Sequence, residues 1–255
     1  MEVGVTLTIM RALNIRPGVR AVSDRLFRLV EPYPGLYFPL YSFYNLPLFG
    51  LAKGYVGKTI RRDTELVIEG FPRSGNTFAL YAFTLAQDRP VKIAHRVHAP
   101  PQIIRAAHLG IPCCVLIRNP ADAVRSAMLM WPQVTGQVGL NSYARFYRTI
   151  YPYRDAFVVA PLDKVVSEFG TVIGEINKRF ATSFETFDAT DANLRAVYAM
   201  MDRLNKEYHG RNPLTSYRPN EIKETLKRKI SFDDCRDALA ECNDIYRLFE
   251  DLSSA

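Results

Sequence analysis

The segment TELVIEG (64–70) runs directly into GFPRSGNT (70–77) and then NTFALYAFTLAQ (76–87). A short apolar run stopped by glycine reads as a buried strand, and the longer apolar stretch after it reads as a helix. A glycine-bearing loop between a strand and a helix lets successive backbone amides turn inward, toward an anion held at the positive end of the helix. Few features narrow a fold as much, because such a loop belongs at the carboxyl edge of an α/β sheet. The phosphate-loop pattern G-x-x-x-x-G-K-[ST] is met at Gly70, Gly75 and Thr77, but Asn76 stands in the lysine position. The loop's one cation is Arg73, a delocalised charge with several donors. Asn76 and Thr77 can add side-chain hydrogen bonds, and Ser74 and Gly75 can add amides. The plainest alternative is a strand–helix turn that merely contains Gly, Ser, Asn and an exposed Arg.

The rest of the chain repeats this alternation. VKIAHRV (91–97), IPCCVLIR (111–118) and FVVAPLD (157–163) read as strands. PPQIIRAAHLG (100–110) has proline at its start and glycine at its end, as helices do, and Pro120 opens PADAVRSAMLM. SFDDCRDALAECNDIYRLFEDL (231–252) places Ser231 and Asp234 in capping-box spacing, with Cys235, Ala238, Cys242, Ile245, Phe249 and Leu252 on one face. The expected fold is α/β: a single domain with a central parallel sheet flanked by helices, like a P-loop NTPase, with a helical C-terminal third. A length of 255 residues suits one such domain. The loops after Gly70, Val97 and Arg118 should then open onto one edge.

A kinase or ATPase needs a lysine on the β/γ-phosphates and a magnesium ion. Asn76 removes the lysine, and the best central strand ends in Arg118 where an Asp would hold the metal. The site therefore suits an anion of lower charge handled without metal, such as a sulfuryl group. VLIRNPADAVRSAM (115–128) puts Arg118 at a strand end and Ser126 on the helix that follows, a pair suited to a second phosphate. The alternative is an Arg118–Asp122 ion pair with Ser126 on the helix surface.

These two segments closely resemble the sulfotransferases that use 3′-phosphoadenosine 5′-phosphosulfate. FPRSGNT is similar to the family's Y-P-K-S-G-T-T loop, with Arg73 in the lysine place, and RNPADAVRS is similar to its R-N-P-x-D-x-x-x-S segment at Arg118, Pro120, Asp122 and Ser126. The likeness spans about residues 64–130 and extends through 139–182 in its order of elements. It implies a sulfotransferase domain, expected over 64–255; the first 60 residues match nothing in the family pattern, and 1–63 is expected to be an N-terminal aromatic and basic extension packed on that domain. It also implies a donor held by Arg73, Ser74, Gly75, Asn76, Thr77, Arg118 and Ser126. The family's K-x-H-x-P element points to His98 of His98-Ala99-Pro100 as the base toward a hydroxyl or amine acceptor, with His95 as the other choice. Arg73 would stabilise the charge of the transferred group, although an arginine cannot donate a proton as a lysine can. The family's late R-K-G-x-x-G segment is not evident. SYRPNEIKETLKRK (216–229) lies where it should, which leaves Arg218 or Lys229 to complete the 3′-phosphate site. The rival readings are a P-loop kinase or nucleotide hydrolase with a degenerate loop, and a non-catalytic nucleotide-binding scaffold.

A net charge of +7 and a pI of about 9.2 favour anionic ligands, though surplus surface Lys and Arg explain them as simply. The expected partner is a small-molecule, glycan or lipid acceptor, and nucleic acid is not expected. The four cysteines form no C-x-x-C pair, so no metal site is expected and buried thiols in a reducing, cytoplasmic setting are. From Pro32 to Ala52 the chain carries no charge and many aromatic rings, interrupted by Pro34, Pro39 and Pro47. Those prolines argue against a continuous helix and for a loop packed over the core or against a second subunit. With the basic residues that follow, 33–62 is also a candidate for peripheral membrane contact, and the rings of 33–49 for a lipid-like or phenolic acceptor pocket.

Overall fold

In the structure, a computed structural model, residues 26–44 and 58–253 are described. Strands β1 (Leu66–Gly70), β2 (Ile93–His95), β3 (Cys113–Ile117) and β4 (Val158–Pro161) form a parallel sheet in the order β2–β1–β3–β4. The chain steps from β1 to β2 on one side and returns past β1 to β3 on the other. That reversal makes the carboxyl ends of β1 and β3 the switch point at which open α/β sheets bind ligands.

Strand residues alternate between two cores. Val67, Val115 and Val159 face one, with Phe71, α3 (Pro100–Leu109), α5 (Gly136–Ile150) and α10 (Arg236–Leu252) packed over them. Leu66, Ile68, Cys114, Leu116 and Val158 face the other, under α2 (Asn76–Ala86), α7 (Phe169–Phe180) and α8 (Asp191–His209). Burial of both faces explains the near-continuous apolar strands. Between these elements lie α4 (Pro120–Met130) and α6 (Leu162–Ser167), and α9 (Glu221–Arg228) precedes α10. The expected parallel α/β domain with a helical C-terminal third is the fold observed.

Three local expectations change. Residues Pro34–Tyr44 form helix α1 despite Pro39, not a loop. Pro34 sits at the helix start, where its missing N–H costs nothing. Pro39 lies on the exposed face, while Tyr37, Phe38 and Tyr41 join the core, and Arg105 of α3 sits 5.0 Å from the Phe38 ring. Burying those rings outweighs the one helical hydrogen bond that Pro39 forgoes. The remainder of 32–52, from residue 45 on, lies outside the described residues. At the other end, the last helix begins at Arg236, not Ser231. The Ser231 hydroxyl accepts from the Asp233 amide at 3.0 Å, and Asp233–Cys235 tighten into a 3₁₀ turn. Strand β2 is shorter than its apolar pattern, because Arg96 and His98 adopt left-handed backbone. No described helix is long and apolar enough to cross a membrane.

Candidate active site

The loop after β1 is shaped by glycine at two points where nothing else fits. A Cβ on Gly70 would lie 2.4 Å from the Leu116 carbonyl oxygen of β3, and Gly75 holds φ +93 with Leu162 against it. Arg73 is also left-handed (φ 69), so the loop turns sharply on either side of Ser74. Helix α2 starts at Asn76 with no side-chain cap on its first amides, the arrangement that leaves N–H groups for an anion. The side chains behave differently from the simplest reading of a phosphate loop. Asn76 donates from Nδ2 to the Phe71 carbonyl at 3.0 Å and so braces the loop, and the fully buried Ser74 lies beneath it, its amide tied to Phe71 at 3.2 Å. Thr77, largely buried, is the second residue of the helix.

The two resembling segments meet here. Arg73 donates from Nε to the buried Ser126 hydroxyl at 2.9 Å and from Nη2 to the Ser216 carbonyl at 2.6 Å. Arg118, leaving β3, donates from Nη1 to the Arg73 carbonyl at 3.1 Å. It forms no ion pair with Asp122 among the described residues, whose amide caps α4 through Asn119 instead. Tyr143 and Tyr147 of α5 donate to the carbonyls of Arg118 and Leu116, both at 2.8 Å, and fix the end of β3. Burial, together with the nearby Arg118, pulls the Arg73 guanidinium down to about 10, and burial lowers Arg118 as well.

Neither Arg218 nor Lys229 points at this cluster. Arg218 pairs with Asp202 at 2.9 Å and stacks on Tyr198, and Lys229 is exposed after α9. The buried lysines of that segment are Lys223 and Lys227. Lys223 donates from Nζ to the Ser216 carbonyl at 2.9 Å, the same oxygen that Arg73 uses, and Lys227 pairs with Glu224. Burial first, then the charges of Arg73, Lys227 and Arg118, lower Lys223 to about 7. The missed signal was the i, i+4 spacing of these lysines on one face of a short helix opened by an Asn220 cap. Arg73, Arg118 and Lys223 donate to carbonyls or a hydroxyl and form no ion pair among the described residues; with Glu224 as a partial counter-charge, the cluster keeps the positive excess that a multiply charged anion requires.

On the other side of the loop, β2 delivers the histidines. His98 (φ 55) is mostly buried, with Nδ1 2.9 Å from the Gly70 carbonyl and 3.5 Å from Glu69 Oε1. A carbonyl only accepts, so Nδ1 carries the proton and Nε2 keeps the lone pair. Burial, followed by the charges of Arg96, Arg73 and Lys58, lowers the ring to about 4 and keeps it neutral. His95, half-buried, is lowered to about 3, again chiefly by burial, and its Nδ1 has no hydrogen-bond partner among the described residues. Glu69 is wholly buried in β1 and is absent from the sequence-based candidates. It accepts from Val97 N at 2.9 Å, Gln102 Nε2 at 3.1 Å and Gly70 N at 3.2 Å. Burial lifts its carboxyl to about 7 in spite of those donors. A buried acid in a strand of apolar residues gave no pattern that marked it.

Among the described residues no group of three or more His, Cys, Asp or Glu could hold a metal ion. No family model matches the chain, and no curated protein matches it. Among solved structures, the crystal structure of mouse sulfotransferase SULT7A1 complexed with PAP is similar, at 10% identity and a TM-score of 0.40, covering 78% of this chain and 86% of that one.

Proposed function

We propose that this protein transfers a sulfuryl group from 3′-phosphoadenosine 5′-phosphosulfate to an acceptor hydroxyl or amine. The observation that carries the reading is the 2.9 Å bond between Arg73 and Ser126, which joins the two anion-suited segments at one sheet edge. The residues present fit a donor with two separated anionic groups. The uncapped start of α2 and Arg73 would take the 5′ end, and Arg118, Ser126 and Lys223 the 3′-phosphate. The donor supplies an activated sulfur–oxygen bond.

His98 Nε2 accepts the acceptor's O–H or N–H proton as that oxygen or nitrogen bonds to sulfur and the bond from sulfur to the 5′-phosphate oxygen breaks. The products are the sulfated acceptor and adenosine 3′,5′-bisphosphate, with the proton left on His98. Arg73 and the amides at the start of α2 stabilise the charge that shifts onto the departing phosphate. Gly70 and Glu69 orient the histidine ring from below.

Isothermal titration with adenosine 3′,5′-bisphosphate and with ATP, each with and without magnesium, tests this. Tight, metal-independent binding of the bisphosphate is expected, with weaker binding of ATP. Magnesium-dependent preference for ATP would instead identify a nucleotide kinase or hydrolase. Binding of the bisphosphate without transfer to any acceptor would identify a scaffold.

A further inference from the structure

The turn after β2 carries a cation that the donor-binding cluster does not use. Arg96 (φ 57) and His98 (φ 55) are both left-handed, with Val97 fully buried between them. A left-handed conformation costs a non-glycine residue on the order of 1–2 kcal/mol, so an arginine held there is being placed. The Arg96 guanidinium lies 5.7 Å from the centre of the Tyr217 ring, and Arg73 lies 5.8 Å from the same centre. Both guanidiniums thus lie close to one aromatic ring. No carboxylate of the described residues forms an ion pair with Arg96. Its charge acts on the histidines of the same strand and turn, His95 and His98, and, after burial, lowers Lys58 to about 8.

We infer that Arg96 forms an acceptor subsite beside His98, and that the acceptor carries a carboxylate or another small anionic group in addition to the atom that is sulfated. The inference rests on the proposed transfer reaction. With the acceptor's hydroxyl at His98 Nε2, the residue two positions earlier in the same turn would present its guanidinium to the acceptor's far end, with the Tyr217 ring beside that guanidinium as an apolar surface. A guanidinium with no carboxylate partner binds such a group through two parallel hydrogen bonds. It also offsets the repulsion between an anionic acceptor and the donor's phosphates, which a neutral pocket would leave standing.

The test uses full-length protein saturated with adenosine 3′,5′-bisphosphate, titrated with 4-hydroxyphenylacetate and with its uncharged amide. The carboxylate is expected to bind at least about tenfold more tightly, as one charged hydrogen-bonded contact provides. Arg96→Gly, which suits the left-handed backbone, should erase that difference and leave bisphosphate affinity unchanged. Arg96→Lys should keep part of it. Equal affinities in the wild type, no binding of either probe, or a difference that survives Arg96→Gly would overturn the acceptor inference alone. Failure of the bisphosphate to bind would overturn the transfer reading beneath it.

Discussion

The turns after β1 and β2 leave neighbouring parallel strands at the same edge and both contain left-handed arginines, yet they are built in opposite ways. The first is specified by its own residues. Gly70 and Gly75 permit the close approach and the positive φ, and Asn76 braces the loop from within. The second contains no glycine. Its shape is imposed by Glu69 of the adjacent strand, whose carboxylate takes the Val97 amide, while the Gly70 carbonyl takes the His98 ring. One turn is therefore written locally and the other is templated by a neighbour, so the two should fail differently when their supports are removed.

The largest effect should come from the templated side. His98→Ala is expected to reduce sulfuryl transfer by roughly 10²–10⁴-fold while bisphosphate affinity stays within about twofold, read by steady-state kinetics and calorimetry. Comparable loss of bisphosphate binding would show that the two turns are one functional unit. Gly70→Ala breaks the locally written turn, because its Cβ would meet a central-strand carbonyl. It should cost about 3 kcal/mol, a fall in Tm of roughly 6–12 °C in thermal melts.

Glu69→Gln sharpens the contrast. It places an NH₂ group among N–H donors and should cost about 1–3 kcal/mol, with turnover down roughly ten- to a hundredfold and bisphosphate binding unchanged. The sign with pH follows from its raised pKa. A folded value of about 7 against 4.5 means the wild type gains stability from the protonated acid at low pH and loses it as pH rises through 7. The variant's deficit in denaturant melts should thus be larger at about pH 5 than at about pH 8. A deficit that grows with pH would remove the burial argument.

The smallest effect belongs to the donor side. Lys223, lowered to about 7, is largely neutral at about pH 8, and an arriving phosphate raises its pKa again. Bisphosphate binding should take up no more than about one proton there, seen as a buffer-dependent calorimetric enthalpy and lost in Lys223→Met.

Much of this was legible. Glycine, proline and apolar alternation located the sheet, and the residues of both anion-suited segments were visible because each requirement falls within one short stretch. Lys223 was hidden among other cations, since which lysine of a basic helix turns inward depends on what packs against it. Glu69 was hidden because a buried carboxylate signals nothing until its amide partners, from another strand, are known. Helix α1 was misjudged because Pro39 reads as a break locally, whereas the burial of Tyr37, Phe38 and Tyr41 decides the matter.

By itself the sequence determined the parallel sheet, the glycine-shaped loop and the convergence of that loop and the Arg118–Ser126 segment on one sheet edge. These depend on backbone conformation and short-range spacing, which residue types encode directly. Only the tertiary structure decided that Arg73 bonds Ser126, which nitrogen of His98 bears the proton, that Glu69 moulds the turn holding it, and that Arg96 and Arg73 lie against one Tyr217 ring. Those depend on groups far apart in the chain being brought within hydrogen-bonding distance, and packing alone sets that distance.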